Sequence, residues 1–379
     1  MKVLAVGGGS GGHVTPVVAV YKELRKRFPD LEFKFICDRI FADQTKGLFA
    51  GSEVEVLTIS AGKLRRYAGL KWFEHFHPYH LRHTHAANFT DLFRMARGYF
   101  QAKKAIEKFQ PDVLFVKGGY VSLPVGLAAR KFNLPIVIHD SDVLPGLTNR
   151  ILARSARYIG TGSPIENYPT YPKGRTSFVG VPVDSKFFEK ISDRDKKKVF
   201  DAYGFDHKLP LVLVTGGGSG AQELSDLAVS AMPKLAESKI QTLLLTGRQS
   251  RGPFPDNEYF KAVTFINGLA DVIRAADVVV SRAGASSLAE LAAAARPVIL
   301  VPHRHLAGNH QVKNAEVYAR QGAVTVLGAS GSGDRLSAPL IELVADGAER
   351  TELSRSIHKF AKPNALDDMV DLIIKGAKS

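Results

Sequence analysis

One local pattern occurs twice in this chain, and it restricts the fold more than any other feature. Val3-Leu4-Ala5-Val6 is a short apolar run that leads into Gly7-Gly8-Gly9-Ser10-Gly11-Gly12-His13. From 16 to 28, Val17, Val18, Val20, Tyr21 and Leu24 then fall on one helical face. A second strand pattern at 33–36 completes a βαβ opening. The same order restarts at Leu211-Val212-Leu213-Val214, with Thr215-Gly216-Gly217-Gly218-Ser219-Gly220-Ala221 as its loop and 224–235 as its helix. At 379 residues the chain exceeds one ordinary core and suits two domains.

Further strand patterns stand at 113–116, 136–139, 158–161, 241–245, 263–266, 278–281 and 298–301, with helical patterns between them. Strands alternating with helices predict an α/β fold of two Rossmann-like domains, their parallel sheets facing a central cleft. Pro164, Pro169, Pro172, Gly174, Gly180 and Pro182 mark 163–184 as the linker. That leaves 1–162 as the first domain and 185–354 as the second. A helical segment, 355–379, is expected to pack back on the first domain through an amphipathic stretch at 367–374.

Glycines at a strand-to-helix turn let backbone approach a ligand, and the helix N-terminus offers free N–H groups, so an oxyanion is the natural occupant. Gly7-x-Gly9-x-x-Gly12 fits a dinucleotide fingerprint formally, but the next acidic residue, Asp38, lies too far on. Neither loop ends in the Gly-Lys-Ser/Thr of a P-loop. Two such loops point to two phosphorylated substrates. His13 adds a group able to accept a proton near neutral pH.

A third strand, small-residue loop and helix start runs through 278–290. Ser286 or Ser287 suits a helix cap with Glu290 beyond it, while the Glu290 carboxylate also suits the hydroxyls of a ribose. Downstream, Pro302 to Ala315 reads PHRHLAGNHQVKNA; Asn309, His310 and Gln311 suit a polyhydroxylated ligand better than the three histidines suit a metal.

Composition narrows the partners. With 45% hydrophobic and 23% charged residues, neither disorder nor a fibrous repeat is expected. A formal charge of +14 favours anionic partners. The single cysteine, Cys37, excludes an internal disulfide and fits a reducing compartment. No run is long enough to span a membrane and no signal-peptide pattern opens the chain, so a cytoplasmic location is expected. Between 71 and 99, Trp72, Phe73, Phe76, Phe89, Leu92, Phe93 and Met95 mix with Lys71, Arg82, Arg94 and Arg97, following Lys63, Arg65 and Arg66. This suits a helix resting on an anionic membrane surface, and equally an amphipathic helix packed on its own domain. Histidines 75, 77, 80, 83 and 85 match no metal spacing.

Taken in order, GGGSGGHVTP (7–16), GKLRRY (62–67), GGYVSLPVGLAA (118–129), HDSDVLPGLTN (139–149), GVPVD (180–184), GGGSGA (216–221), SRAGASSLAEL (281–291) and NHQVKNA (309–315) resemble the GT-B glycosyltransferases of family 28. Within that family they are most similar to the transferases that add N-acetylglucosamine to lipid I in peptidoglycan synthesis. The resemblance implies UDP-N-acetylglucosamine on the second domain. The main chain around Phe265 and Ile266 would meet uracil, and Glu290 the ribose. Gly217, Gly218, Ser219, Gly220, Ala221 and Arg282 would meet the diphosphate, and His310 with Gln311 the sugar. It places a polyprenyl-diphosphate-linked muramyl peptide on the first domain, against Ser10, Gly11, Gly12, Thr15, Tyr120, Asp140 and Asn149. His13 is the expected base, with Asp142 the runner-up, in an inverting transfer that needs no metal or other cofactor.

Three departures bear on the acceptor. The family pattern His-Glu-x-Asn is His139-Asp140-Ser141-Asp142 here, Gly-Asn-Pro-Val-Arg is Gly180-Val181-Pro182-Val183-Asp184, and the Gly-Gly-Ser of the second loop is Gly216-Gly217-Gly218. They leave open a glycolipid synthase acting on diacylglycerol. Asp184, an acid in place of an arginine, is expected to point away from phosphates. A basic nucleic-acid-binding protein is disfavoured because no recognition motif is present, and a nicotinamide oxidoreductase would have to bind NAD and not UDP.

Overall fold

The computed structural model describes residues 1–8, 11–63, 86–217, 221–247, 250–303, 309–328 and 333–378, with backbone alone at 11, 86 and 87. They divide into two compact units, Met1–Pro182 with Asn364–Ser379, and Val183–Pro363.

The first unit holds β1 (Lys2–Gly7), β2 (Glu32–Asp38), β3 (Glu55–Ile59), β4 (Val113–Gly118), β5 (Ile136–Asp140), β6 (Tyr158–Thr161) and β7 (Thr176–Phe178) in one sheet, ordered β3-β2-β1-β4-β5-β6-β7. Every pairing is parallel; Val3, for example, stands opposite Phe33 on one side and Val113 on the other. Alternate side chains leave a strand on opposite faces, and here both faces are covered. Leu4, Val6, Leu114, Val116 and Ile138 pack against the helices Ala86–Phe109, Ser122–Lys131 and Leu147–Ala153. Val3, Ala5, Phe35, Phe115 and Val137 pack against Val17, Val20 and Leu24 of the helix Thr15–Arg27. Met369, Val370 and Ile373 of the helix Ala365–Ala377 complete that second face, and Arg27 pairs with Asp367 and, at 2.7 Å, with Asp371. Burial on both faces is why these strands read as continuous apolar runs.

The second unit repeats the plan with β8 (Leu211–Thr215), β9 (Gln241–Leu245), β10 (Phe260–Val263), β11 (Val278–Ser281), β12 (Val298–Leu300) and β13 (Thr325–Val326), ordered β10-β9-β8-β11-β12-β13 and again parallel. In each sheet the strand order reverses at one place, between β1 and β4 and between β8 and β11. Ligands of open α/β sheets bind beyond the carboxyl ends of the strands at such a reversal. Both glycine loops leave the sheet there.

Three details differ from the sequence reading. The strand expected at 263–266 is displaced: β10 ends at Val263, whose partner is Leu245, and Thr264 and Phe265 are exposed. An apolar run had stood in for a strand although only its first residue joins the ladder. The proline-rich stretch 163–184 contains β7, paired with β6 from Ile159 opposite Thr176, and the units divide after Pro182. At an edge a strand as short as β7 tolerates proline and glycine neighbours. The closing segment, expected from 355, rejoins the first unit at Asn364.

Candidate active site

In the first unit two glycine turns meet backbone to backbone. Gly119 has φ +82°, and a Cβ built there would lie 2.1 Å from the Gly8 carbonyl oxygen, so no side chain fits. Beside them Asp38 ends β2. Its Oδ1 accepts from the amides of Ile40 (2.8 Å) and Phe41 (3.1 Å), and its Oδ2 from the Tyr120 hydroxyl at 3.0 Å. This is where a dinucleotide-binding sheet holds the ribose carboxylate, and here the protein itself uses that acid. Burial and Asp38 together push the Tyr120 pKa up, so the phenol stays a donor. Ser10 lies outside the described residues. Gly11, Gly12 and His13 form a single 3-10 turn that runs into the helix beginning at Thr15, with Pro16 in its first turn. His13 and Thr15 are both half-buried.

Asp140 ends β5 almost fully buried. Its Oδ2 accepts from the Tyr171 hydroxyl at 2.6 Å and the Gly146 amide at 3.1 Å, and the Asn149 side chain also bonds to it. Burial raises its pKa against the pull of these donors. Asn149 packs on Gly118, and its buried Oδ1 has no hydrogen-bond partner among the described residues. The Asp142 carbonyl accepts from Tyr168 at 2.5 Å, and Tyr168 and Tyr171 stack at 5.3 Å. Tyr120 follows β4, Asp140 and Asp142 stand at and after the end of β5, and Asn149 on the next helix reaches both strand ends through Gly118 and Asp140.

Reasoning from sequence missed the tyrosines, which stand in the stretch read as linker; aromatic residues among prolines were the available signal. It also missed Lys117. This lysine is the last residue but one of β4, has 2% exposure and donates to Ser141 Oγ. Ser141 Oγ lies 3.3 Å from His139 Nδ1, and His139 Nε2 lies 2.8 Å from the Gly180 carbonyl.

In the second unit Thr215 Oγ1 accepts from the Gly217 amide at 3.2 Å, and Gly217 takes φ +79°. Gly218, Ser219 and Gly220 lie outside the described residues. Ala221 precedes the helix Gln222–Glu237. At the neighbouring strand end, Gly284 is the N-cap of the helix Ala285–Ala293, with no side-chain cap bond. The cap expected of Ser286 or Ser287 is therefore corrected: the helix starts before them, so both serines sit in its first turn, where backbone N–H groups lack helical partners. Ser287 Oγ lies about 4 Å from Cβ positions built on both Gly217 and Gly284, which brings the turn after β8 to the start of the helix Ala285–Ala293.

Arg282 is buried, with Nη1 donating to the Val301 carbonyl and Nη2 to Glu223 Oε2, each at 2.9 Å. It ties two strand ends to the first turn of the helix behind the loop. Glu290 is half-buried; desolvation and the charge of Asp184 lift its pKa to about 7. Asp184 itself accepts from the Lys186 amide at 3.1 Å, capping the short turn Ser185–Phe188. Ile266 is buried beside exposed Phe265. His310 opens the helix His310–Ala319, Gln311 Oε1 accepts from the His303 amide at 2.9 Å, and Asn314 Nδ2 anchors the helix on the Ala283 carbonyl at 3.0 Å.

The model of the glycosyltransferase family 28 N-terminal domain matches residues 3–161, and that of its C-terminal domain matches residues 211–369. The chain belongs to glycosyltransferase family 28. A UDP-N-acetylglucosamine--N-acetylmuramyl-(pentapeptide) pyrophosphoryl-undecaprenol N-acetylglucosamine transferase of Lachnoclostridium phytofermentans is 33% identical over 332 residues, 85% of this chain and 84% of its own. The protein of the same name from Moorella thermoacetica is 31% identical over 393 residues, covering 100% of both. Among solved structures, MurG of Acinetobacter baumannii superposes with a TM-score of 0.66 over 99% of each chain at 24% identity. A UDP-GlcNAc 2-epimerase from Neisseria meningitidis bound to UDP-GlcNAc reaches 0.67 at 13% identity over 99% of this chain and 100% of its own. These two likenesses speak for the GT-B fold. Family 28 membership therefore rests on sequence along most of the chain.

Proposed function

We propose that this family 28 enzyme transfers N-acetylglucosamine from UDP-N-acetylglucosamine to the 4-hydroxyl of the muramyl sugar of undecaprenyl-diphosphate-linked N-acetylmuramyl-pentapeptide, with inversion. The observation that carries the reading is the full-length similarity to transferases named for that reaction, on a chain whose two sheets each carry a glycine loop at the strand-order reversal. UDP belongs on the second unit, its diphosphate against the helix starts at Ala221 and Gly284, its ribose on Glu290, and uracil on the main chain at Ile266. Arg282 supports that site from behind through Glu223 rather than by direct contact. His310 and Gln311 face the sugar.

The lipid diphosphate belongs on the first loop, with Tyr120, Asp140 and Asn149 around the muramyl group and the open Asn149 Oδ1 free to accept from it. His13 takes the proton from the attacking hydroxyl, and Asp142 is the alternative base. Helix N-termini stabilise the departing diphosphate electrostatically, so the chemistry requires no metal.

Such an acceptor stays in a membrane. Among the described residues no helix is long and apolar enough to cross one. The helix Ala86–Phe109 instead exposes Phe89, Leu92, Phe93 and Phe100 while its other side buries Ala102, Ile106 and Phe109. That exposed face, on a chain of charge +14, suits peripheral attachment to the anionic inner face of the cell membrane. The basic and aromatic residues at 64–85, with their histidines, lie outside the described residues.

The test is transfer of radiolabelled N-acetylglucosamine to a soluble short-chain lipid I analogue in EDTA, beside a diacylglycerol control. Transfer to the muramyl lipid alone supports the reading. Transfer to diacylglycerol, or a strict metal requirement, would overturn the corresponding part of it.

A further inference from the structure

Lys117 is a lysine without exposure at the carboxyl end of a central strand, against the first glycine loop: a Cβ built on Gly7 would lie 3.4 Å from its own. Lysine is rarely buried unless paired, and nothing in the function as argued so far uses it. The hydrogen bonds around it run in one direction only. The Gly180 carbonyl can only accept, so His139 Nε2, 2.8 Å away, carries the ring proton. His139 Nδ1 is then an acceptor and takes the Ser141 hydroxyl proton at 3.3 Å. Ser141 Oγ in turn accepts from the Lys117 ammonium. The charged groups facing Lys117 are Asp140 and Asp142, from the end of β5 and the turn after it. His139 is held neutral by burial and by Lys117 itself; Tyr168 approaches both acids, and Tyr171 approaches Asp140, as neutral phenols.

We propose that Lys117 is a positioning residue for transfer: its ammonium fixes the Ser141–His139–Gly180 chain and balances Asp140 and Asp142 beside the first glycine loop, so turnover requires the charged form of Lys117. The role rests on the transferase reading above. It concerns the acceptor side, because every group in the chain belongs to the first unit.

Burial draws the Lys117 pKa down to about 8, against the opposite pull of the two acids. The ammonium is thus present below that pH and lost above it, and turnover falls on the alkaline side with it. Arginine keeps its charge throughout the working range. Lys117→Arg should move the alkaline limb of the kcat profile upward. Lys117→Met should cut kcat by about tenfold or more at neutral pH, as loss of a charged partner in a buried network does, while leaving the donor KM unchanged. Ser141→Ala removes the link without altering charge or core volume; it should lower kcat and leave the alkaline limb in place, which covers the case of an arginine too large to fold. An alkaline limb identical in wild type and a folded Lys117→Arg, or a Lys117→Met enzyme with wild-type kcat, would overturn the role.

Nitrogen-15 NMR of the histidine rings in the full chain separates this from failure of the transferase reading. A His139 ring protonated at Nε2 and bare at Nδ1, with shifts that move in Ser141→Ala, supports the chain of bonds even if the wild type transfers nothing to lipid I. A ring protonated at Nδ1 overturns it whatever the acceptor.

Discussion

Glu290 sits on the helix Ala285–Ala293, beyond its first turn, with its carboxyl withdrawn from water and Asp184 close by. Folded, it holds its proton up to about pH 7; its ordinary value is 4.5. Folding therefore takes up a proton between those values, and the carboxyl's contribution to stability falls as pH climbs through them. Glu290→Gln should stabilise the chain at pH 8, by up to about 3 kcal/mol, and leave it unchanged below pH 4.5. Denaturant melts at the two pH values check this; an equal gain at both would mean that charge is not the cause. In binding, the proposed ribose contact predicts that Glu290→Ala weakens UDP by about tenfold or more. His13→Ala should abolish turnover with UDP affinity retained, and calorimetry with UDP distinguishes the two. Neither pKa was legible in sequence. Glutamate and lysine read as solvated residues unless their surroundings are known, and Asp184 reaches Glu290, like Ser141 reaches Lys117, only through the fold.

At the scale of elements the sequence was most legible where a strand is buried on both faces. β8 and β11 are continuous apolar runs ending in small residues, and their limits follow from that ending; β4 runs two residues past its apolar stretch, through Lys117. The edges were harder. β3, with a half-exposed pattern, and β7 and β13, of three and two residues, carry too little periodicity to stand out. The meeting of Gly8 with Gly119 was invisible because it joins two loops far apart in the chain. Gly119→Ala must place a side chain at φ +82° against a carbonyl. It should cost about 1–3 kcal/mol by backbone strain alone and reduce acceptor turnover more than donor affinity. The exposed half of the helix Ala86–Phe109 makes a separate prediction. Phe89 and Phe93 touch edge to face at 5.0 Å and are each more than 60% exposed. Replacing both with serine should reduce binding to anionic vesicles, by up to about 1.5–3 kcal/mol for each ring that enters the bilayer, without lowering the melting temperature. Unchanged vesicle binding in a co-sedimentation assay would remove this face from membrane attachment.

For the whole molecule, charge and connectivity matter more than any one contact. A formal charge of +14 makes attachment to an anionic surface salt-dependent, so vesicle binding should weaken steadily as ionic strength rises. Connectivity has a sharper effect. The first unit is made of 1–182 and 364–379, with the entire second unit inserted between them. Met369, Val370 and Ile373 fill one face of its sheet, so a 1–182 fragment lacks part of its core and should be far less stable than the intact chain. During synthesis the same arrangement imposes an order of events. At ordinary elongation rates of roughly 5–20 residues per second, the helix that seals the first sheet emerges some 10–40 s after the strands it covers. The second unit can be finished while the first still lacks a wall. A newborn chain thus completes its first unit last, and until then its unsealed apolar sheet is what chaperones will meet.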